Sequence, residues 1–170
     1  MMTLYHGSYL AVPNPLAMAG RKNLDFGRGF YLTKIKKQAE AWAFVIAGRK
    51  GRKALPVVSE YLFDNALAES AGIRFRHFPS YDIEWLNYVI ACRQGKDISS
   101  EYDIVEGGVA NDNVIDTVED YEKGIITADQ ALGQLKYKKV NHQICILNQS
   151  VIDNYLQFKE SITLIKKEEI

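Results

Sequence analysis

Apolar residues recur at helical spacing in some stretches of the chain and at strand spacing in others, with glycine- and proline-containing stretches between them. One helix is predicted from residues at three- and four-residue intervals, namely Ala39, Trp42, Ala43 and Ile46. We expect Thr33 to be its N-cap and Gly48 and Gly51 to end it. Further helices are predicted at 81–92, at 149–155, and from a capping box at Thr127 to Leu135.

β-rich stretches predict strands at 3–8, 57–63, 102–105, 143–147 and 158–164, and a brief strand after the glycines at 27 and 29. Strands and helices do not alternate regularly, and no glycine-rich turn of a doubly wound sheet is present. The pattern therefore predicts an α+β class, with one domain over residues 1–165 and a frayed tail at 166–170.

Composition agrees with a folded domain, since 47% of the 170 residues are hydrophobic and 25% are charged. Lysine plus arginine equals aspartate plus glutamate at 21 each, so a nucleic-acid or anionic partner would need a local patch. Cys92 and Cys145 lie in apolar runs and are predicted to be buried thiols. There is no signal sequence and no apolar run long enough to span a membrane, so we expect a cytoplasmic protein without a membrane partner.

Two short motifs near the N-terminus have residue types suited to ligand binding. In His6-Gly7-Ser8, the glycine lets a ligand approach the backbone, and the imidazole and hydroxyl make directed hydrogen bonds. In Gly27-x-Gly29-Phe30-Tyr31, two glycines precede an aromatic pair, and Trp42 follows eleven residues after Tyr31. Such rings can enclose a planar heterocycle. The alternatives are a packed strand-end histidine and a core tryptophan.

In this order the motifs resemble the ADP-ribosyltransferase superfamily of the diphtheria-toxin and poly(ADP-ribose)-polymerase type, whose third motif is a polar residue, often Glu, that opens a later strand. The run from Asn23 to Thr33, with Gln38, Ala39 and Trp42 behind it, is more similar to a bacterial branch of uncharacterised, DUF3990-like domains. The resemblance implies an ADP-ribosyltransferase-like fold with a split, mostly antiparallel β core and flanking helices.

The same resemblance implies that NAD binds as a substrate. The resemblance implies that the Gly7 backbone holds the nicotinamide carboxamide and that His6 and Ser8 hydrogen-bond hydroxyls of the two riboses. It also implies that Tyr31 stacks on the nicotinamide with Trp42 behind it. Gly29 belongs to the same binding segment. His6, Tyr31 and Gln143 are then the expected catalytic residues.

Gln143 stands where many relatives have a glutamate. A glutamine accepts a hydrogen bond but brings no negative charge to oppose an oxocarbenium ion. Either an oriented cleft suffices, or another carboxylate serves; the candidates are Asp25, Asp103, Glu106 and Asp112, each also typical of a cap, turn or solvated position. His77 and His142 lack metal-site spacing, so no metal is predicted.

A basic cluster, Arg49-Lys50-Gly51-Arg52-Lys53 with Lys34, Lys36 and Lys37 upstream, is interpreted either as a contact for nucleic-acid phosphates or as a solvated loop. The resulting expectation is an NAD-dependent mono-ADP-ribosyltransferase that modifies a protein or nucleic acid. Such a protein would be typical of a toxin in a toxin-antitoxin or phage-defence system, with a separate antitoxin protein. The alternatives are a non-catalytic NAD-binding or partner-binding module and an NAD glycohydrolase.

Overall fold

A computed structural model describes residues 1–96, 101–111 and 114–165. These residues form seven strands and six α-helices in mixed and antiparallel sheets, which confirms the α+β class. The elements in chain order are β1 (Met2–Ser8), β2 (Phe30–Leu32), α1 (Lys36–Lys50), β3 (Val57–Phe63), α2 (Asn65–Ser70), β4 (Phe75–His77), α3 (Ile83–Arg93), β5 (Ile104–Gly108), α4 (Ile115–Glu122), α5 (Ala128–Leu135), β6 (His142–Ile146), α6 (Gln149–Tyr155) and β7 (Leu156–Thr163). Asp112 and the predicted tail at 166–170 lie outside the described residues.

The chain divides into two compact units that interleave along the sequence. The first unit contains residues 1–16, 31–72 and 149–170, and the second contains residues 17–30 and 73–148. The strand order is β1-β3-β7 in one sheet and β2-β6-β5-β4 in the other. The chain passes from the second unit to the first inside β2, because Phe30 belongs to one and Tyr31 to the other.

The sheet of the first unit has β3 at its centre, antiparallel to both neighbours. Helix α1 packs on β1 and β3 through a stripe of small residues at four-residue intervals, Ala39, Ala43 and Ala47. Small side chains let a helix approach a strand closely, and these three alanines are buried. In the loop after β1, the Val12 N–H donates to Ser59 Oγ (3.1 Å), and the Tyr61 hydroxyl donates to the Val12 carbonyl (2.5 Å).

In the second unit β5 pairs parallel with β4 and antiparallel with β6. Its core is aromatic and aliphatic, and Trp85 and Phe26 are completely buried. The Trp85 indole N–H donates to the Gly108 carbonyl at 3.0 Å, and the Tyr81 hydroxyl donates to the Val109 carbonyl at 2.8 Å. These hydrogen bonds satisfy the carbonyl groups at the end of β5. A carbonyl buried in an apolar core without a hydrogen bond would destabilise the folded protein.

The structure agrees with most of the predicted elements and corrects several boundaries. Helix α1 begins two residues later than expected, because its N-cap is Ile35 while the Thr33 hydroxyl accepts the Ile35 N–H at 3.1 Å. Gly51 ends the helix with a φ of 128°, but Gly48 lies inside it. The strand at 102–105 is instead Ile104–Gly108 and includes both glycines. The capping box at Thr127 is confirmed.

Three short elements have no counterpart in the predictions: β4, α2 and α4. The exposed pattern of β4 resembles a loop, and α2 has only six residues. Cys92 and Cys145 are buried thiols without a disulfide, as expected. No helix among the described residues combines the length and apolar character needed to cross a membrane.

Asp103 joins the start of β5 to the residues before β4. Its carboxylate accepts the Arg74 backbone N–H, two guanidinium N–H groups of Arg74 and the Asn148 amide, at 2.9 to 3.1 Å. The hydrogen bonds from Arg74 lower the pKa of Asp103 to about 2. The carboxylate therefore stabilises the fold most when it is ionised.

We predict that Asp103→Asn lowers the free energy of unfolding at neutral pH by about 1–2 kcal/mol, a modest loss because Arg74 is half-exposed. Because the folded-state pKa is depressed, this contribution is present above the unfolded pKa of about 3.9 and is lost as pH falls toward 2. Denaturant titrations at about pH 7 and about pH 3.5 measure both values. The prediction would be contradicted if the difference in free energy of unfolding between Asp103→Asn and the parent were as large at about pH 3.5 as at about pH 7.

Candidate functional site

The first N-terminal motif and Tyr31, the last residue of the second, meet in the first unit, although more than twenty residues separate them. The backbone N–H of Tyr5 donates to the Thr33 carbonyl and that of Thr33 to the Tyr5 carbonyl, both at 2.9 Å. This pair of bonds forms an isolated antiparallel bridge between the end of β2 and the middle of β1. The bridge holds His6-Gly7-Ser8 beside Tyr31.

His6 adds a side-chain bond to that bridge. Its Nδ1 lies 2.7 Å from the Tyr31 carbonyl oxygen. Because a carbonyl only accepts, Nδ1 carries the proton, and Nε2 is an acceptor in the neutral ring. Burial lowers the pKa of His6, and the bond to Tyr31 acts in the opposite direction. The imidazole is therefore neutral at pH 7, with a fixed orientation and tautomer.

Gly7 lies where α1 comes closest to β1. A Cβ on this residue would overlap the Ala39 carbonyl oxygen and would lie 2.8 Å from the Ala43 nitrogen, and both are backbone atoms. The glycine is thus required by the packing of the helix on the strand. Ser8 follows at the end of β1, opposite Val57 of β3, and is partly exposed.

Tyr31 is partly buried in β2, whereas Trp42 is 47% exposed on α1. The interpretation of Trp42 as a core residue is therefore wrong, because the buried stripe of α1 is made by its alanines. The Arg49 guanidinium lies 5.8 Å from the centre of the Trp42 ring, on the same face of the helix. The indole is available to a ligand on its exposed side.

The two glycines before Tyr31 serve different purposes in the second unit. Gly27 has a φ of 83°, a backbone conformation that favours glycine. Gly29 lies against β6, since a Cβ there would be 2.5 Å from Cys145 Sγ and 2.7 Å from the Ile146 carbonyl oxygen. The positive φ thus explains the glycine at position 27, and the close approach to β6 explains the glycine at position 29.

Gln143 and Asp25 are brought together in the second unit. Gln143 is the second residue of β6 and pairs with Gly107 of β5. Asp25 is buried, and its carboxylate accepts the Ala110 N–H at 3.0 Å and an Arg93 N–H at 3.2 Å. Gln143 Nε2 is buried without a hydrogen bond of standard geometry to any described residue. Its amide nevertheless interacts with the Asp25 carboxylate.

Burial raises the pKa of Asp25 above its ordinary value, and opposing contributions come from the Ala110 N–H, from Arg93 and, least, from the Gln143 amide. A carboxylate next to Gln143 attracts its NH₂ group, which turns the amide oxygen away from Asp25. In that orientation the oxygen is the atom of Gln143 that can accept a bond from a ligand hydroxyl.

Other carboxylates considered from the sequence have different surroundings. The Asp103 carboxylate accepts hydrogen bonds from the side chains of Arg74 and Asn148, as described above. Glu106 lies 3.7 Å from His77 Nδ1, and the His77 ring stacks on that of His142 at 5.7 Å. Within the described ranges, no group of three or more histidine, cysteine, aspartate or glutamate side chains could hold a metal ion.

The predicted site residues thus fall into two groups. The first unit holds five of them, His6, Gly7, Ser8, Tyr31 and Trp42, and the second unit holds Gly29 and Gln143. Arg93 and Ala110 were not predicted. They lie 68 and 85 residues from Asp25, and no local pattern indicates such distant partners.

These features define an α+β protein in which one unit contains His6, hydrogen-bonded to the Tyr31 carbonyl, and the other contains a buried Asp25-Gln143 pair. Comparison with protein families gives a match over residues 2–158 to the family described as "Protein of unknown function (DUF3990)". The chain belongs to that family. No curated protein and no solved structure matches it.

We predict that Gly7→Ala lowers the free energy of unfolding by about 1–3 kcal/mol, because the new Cβ overlaps backbone atoms of α1. Gly48→Ala is the matched control. A Cβ at Gly48 has no neighbour within 4 Å, and alanine favours a helix, so this change should stabilise by up to about 1 kcal/mol. Thermal unfolding of both variants is the measurement, and equal shifts in Tm would contradict the assignment of Gly7 to helix packing.

We also predict that Gln143→Glu destabilises the protein at neutral pH by about 1–3 kcal/mol, because it places a second carboxyl group beside Asp25. Repulsion raises the folded-state pKa of the pair, so the loss is largest above the raised pKa and shrinks as pH falls through it. Denaturant titrations at about pH 5 and about pH 7.5 measure the change, with Gln143→Met as the uncharged control. Equal losses for both variants at both pH values would show that charge is not the cause.

Proposed function

We propose that this protein is an NAD-dependent mono-ADP-ribosyltransferase with an ADP-ribosyltransferase-like fold, which transfers ADP-ribose to a macromolecular acceptor and releases nicotinamide. The observation that carries the proposal is the hydrogen bond from His6 to the Tyr31 carbonyl, with the bridge between Tyr5 and Thr33. This contact joins the first of the motifs that resemble the superfamily to Tyr31 of the second.

The neutral His6 supports the assignment, because a ring with Nδ1–H bonded to a carbonyl offers Nε2 to a ribose hydroxyl. The resemblance assigns the nicotinamide carboxamide to the backbone groups of Gly7, and Ser8 follows as a partly exposed residue. Tyr31 and the exposed Trp42 supply rings for the nicotinamide. Gly29 precedes β2 and lies against β6, and the resemblance assigns it to the same binding segment.

In the proposed reaction, the bond between ribose C1′ and the nicotinamide nitrogen breaks, and its electron pair leaves with neutral nicotinamide. An acceptor nucleophile forms a bond to C1′ and loses its proton to solvent. Positive charge develops on the ribose, so groups that hold the ribose and oppose that charge accelerate the step. Gln143 positions a ribose hydroxyl, and the Asp25 carboxylate beside it supplies negative charge at longer range.

The proposed biological role is that of a toxin in a toxin-antitoxin or phage-defence system, with a separate protein as antitoxin. This role follows from the resemblance to single-domain transferases. The second candidate function is a non-catalytic NAD-binding module, favoured by the glutamine at position 143 in place of a glutamate. The two candidates differ in whether nicotinamide is released.

The test is incubation of the purified protein with adenylate-labelled NAD and a cell lysate, followed by digestion with protease or nuclease. Label on a macromolecule that one digestion removes is the expected result, and it also names the acceptor class. Nicotinamide release without labelled macromolecule would indicate a glycohydrolase. NAD binding by thermal shift with neither label nor nicotinamide would favour the non-catalytic module.

We predict that His6→Ala and Tyr31→Ala each reduce NAD turnover by about 5- to 150-fold, because each removes a positioning contact of about 1–3 kcal/mol. His77→Ala and Tyr137→Ala are the matched controls, since His77 is exposed and Tyr137 is 85% exposed. Rates of nicotinamide release are compared after circular dichroism has shown that each variant is folded. Turnover unchanged in both His6→Ala and Tyr31→Ala would reject this site.

The exchange variant Asp25→Asn/Gln143→Glu tests whether the position of the carboxylate, at residue 25 or at residue 143, affects the rate of nicotinamide release. It keeps the net charge and moves the carboxylate by one side chain, so the repulsion predicted for Gln143→Glu alone is absent. Faster nicotinamide release than in the parent would mean that the placement of negative charge limits the native enzyme.

A further inference from the structure

The C-terminal end of α1 and the loop after it carry a concentration of positive charge. Between positions 34 and 53 there are seven basic residues and one acid, whereas the whole chain has no net charge. Four of the basic residues, Arg49, Lys50, Arg52 and Lys53, follow one another within five positions and are exposed.

The structure places two aromatic rings among these cations. Lys50 Nζ lies 4.9 Å from the centre of the Tyr9 ring, and the Arg49 guanidinium lies 5.8 Å from that of Trp42. Tyr9 is partly exposed just after β1, and Trp42 is on α1. We call these six residues the basic-aromatic surface: Tyr9, Trp42, Arg49, Lys50, Arg52 and Lys53.

Contacts within the fold do not account for this charge. None of Arg49, Lys50, Arg52 and Lys53 forms an ion pair with another described residue. The dipole of α1 presents only about half a negative charge at this end, against four positive charges. Positive charges placed this close repel one another, so an external polyanion would stabilise the surface.

We propose that the basic-aromatic surface binds single-stranded nucleic acid, and, resting on the proposed function, that nucleic acid is the acceptor of ADP-ribose. Phosphates match the exposed cations, and unstacked bases match the rings that lie beside two of them, Arg49 and Lys50. An acidic protein would satisfy the cations but would make no use of the rings as stacking platforms. Trp42 is shared with the residues assigned to NAD, so the surface adjoins those residues within the first unit.

The binding test needs no NAD. Fluorescein-labelled DNA and RNA strands of about 12 nucleotides are titrated with the full chain, and anisotropy is read at about 50 and 200 mM NaCl. The main variant replaces Arg49, Lys50, Arg52 and Lys53 with glutamine. The control replaces Lys136, Lys138 and Lys139, which are exposed in the second unit, and also Lys123 with glutamine, for the same change in charge.

We expect the main variant to bind the strands at least about tenfold more weakly than the parent. The slope of log K against log salt concentration, called the salt slope, should fall in magnitude by up to about 3, or about 0.7 for each phosphate that the variant no longer neutralises. The control variant should change either value much less. Tyr9→Ala should weaken binding by about fivefold or more with the salt slope unchanged, because it removes stacking and no charge.

Equal binding by the main and control variants would overturn the proposal, as would binding only to vesicles with about one-third phosphatidylserine. The NAD assay separates this result from the proposed function. If the main variant loses DNA or RNA binding but the parent releases no nicotinamide from NAD, the transferase proposal is rejected. The proposal that the basic-aromatic surface binds nucleic acid then still holds. Nuclease-sensitive label that is lost in the main variant, together with the nicotinamide release that accompanies transfer, while the thermal shift with NAD is unchanged, would support both. Protease-sensitive label would overturn the acceptor assignment.

Discussion

Two backbone hydrogen bonds between Tyr5 and Thr33 hold together the part of the first unit on which the proposed chemistry depends. They fix β1 against the end of β2, so the His6 ring reaches the Tyr31 carbonyl and its proton is held on Nδ1. Helix α1 follows directly and packs on β1 through alanines, which brings its backbone so near that position 7 accepts only glycine. One local register therefore sets the orientation of the histidine, the course of the strand and the approach of the helix.

Electrostatics are arranged differently in the second unit. Asp25 is buried, and its charge is compensated by Arg93 and by the Ala110 N–H. Gln143 lies beside this carboxylate and carries no charge itself. A glutamate at position 143 would face a like charge, which gives a physical reason for an amide at this position.

A chain without net charge carries a local excess of positive charge on its first unit. Six positive charges, net, lie within twenty residues, and the balancing acids lie elsewhere in the sequence. Because salt screens interactions beyond about 10 Å, a local cluster and not the total charge decides what a surface binds. The rings of Tyr9 and Trp42 give this cluster a chemical character that lysines alone lack.

The sequence alone determined the α+β class, most strands and helices, and the buried state of both cysteines, because these follow from local periodicity and apolar runs. It also indicated the glycines at 7, 27 and 29, though not the reasons for them, which are a helix backbone, a positive φ and a neighbouring strand. Only the tertiary structure decided that Trp42 is exposed while alanines fill the core, since helical spacing fits either outcome. It alone joined Asp25 to Arg93 and Gln143, because contacts across scores of residues depend on how the strands pair and leave no local pattern.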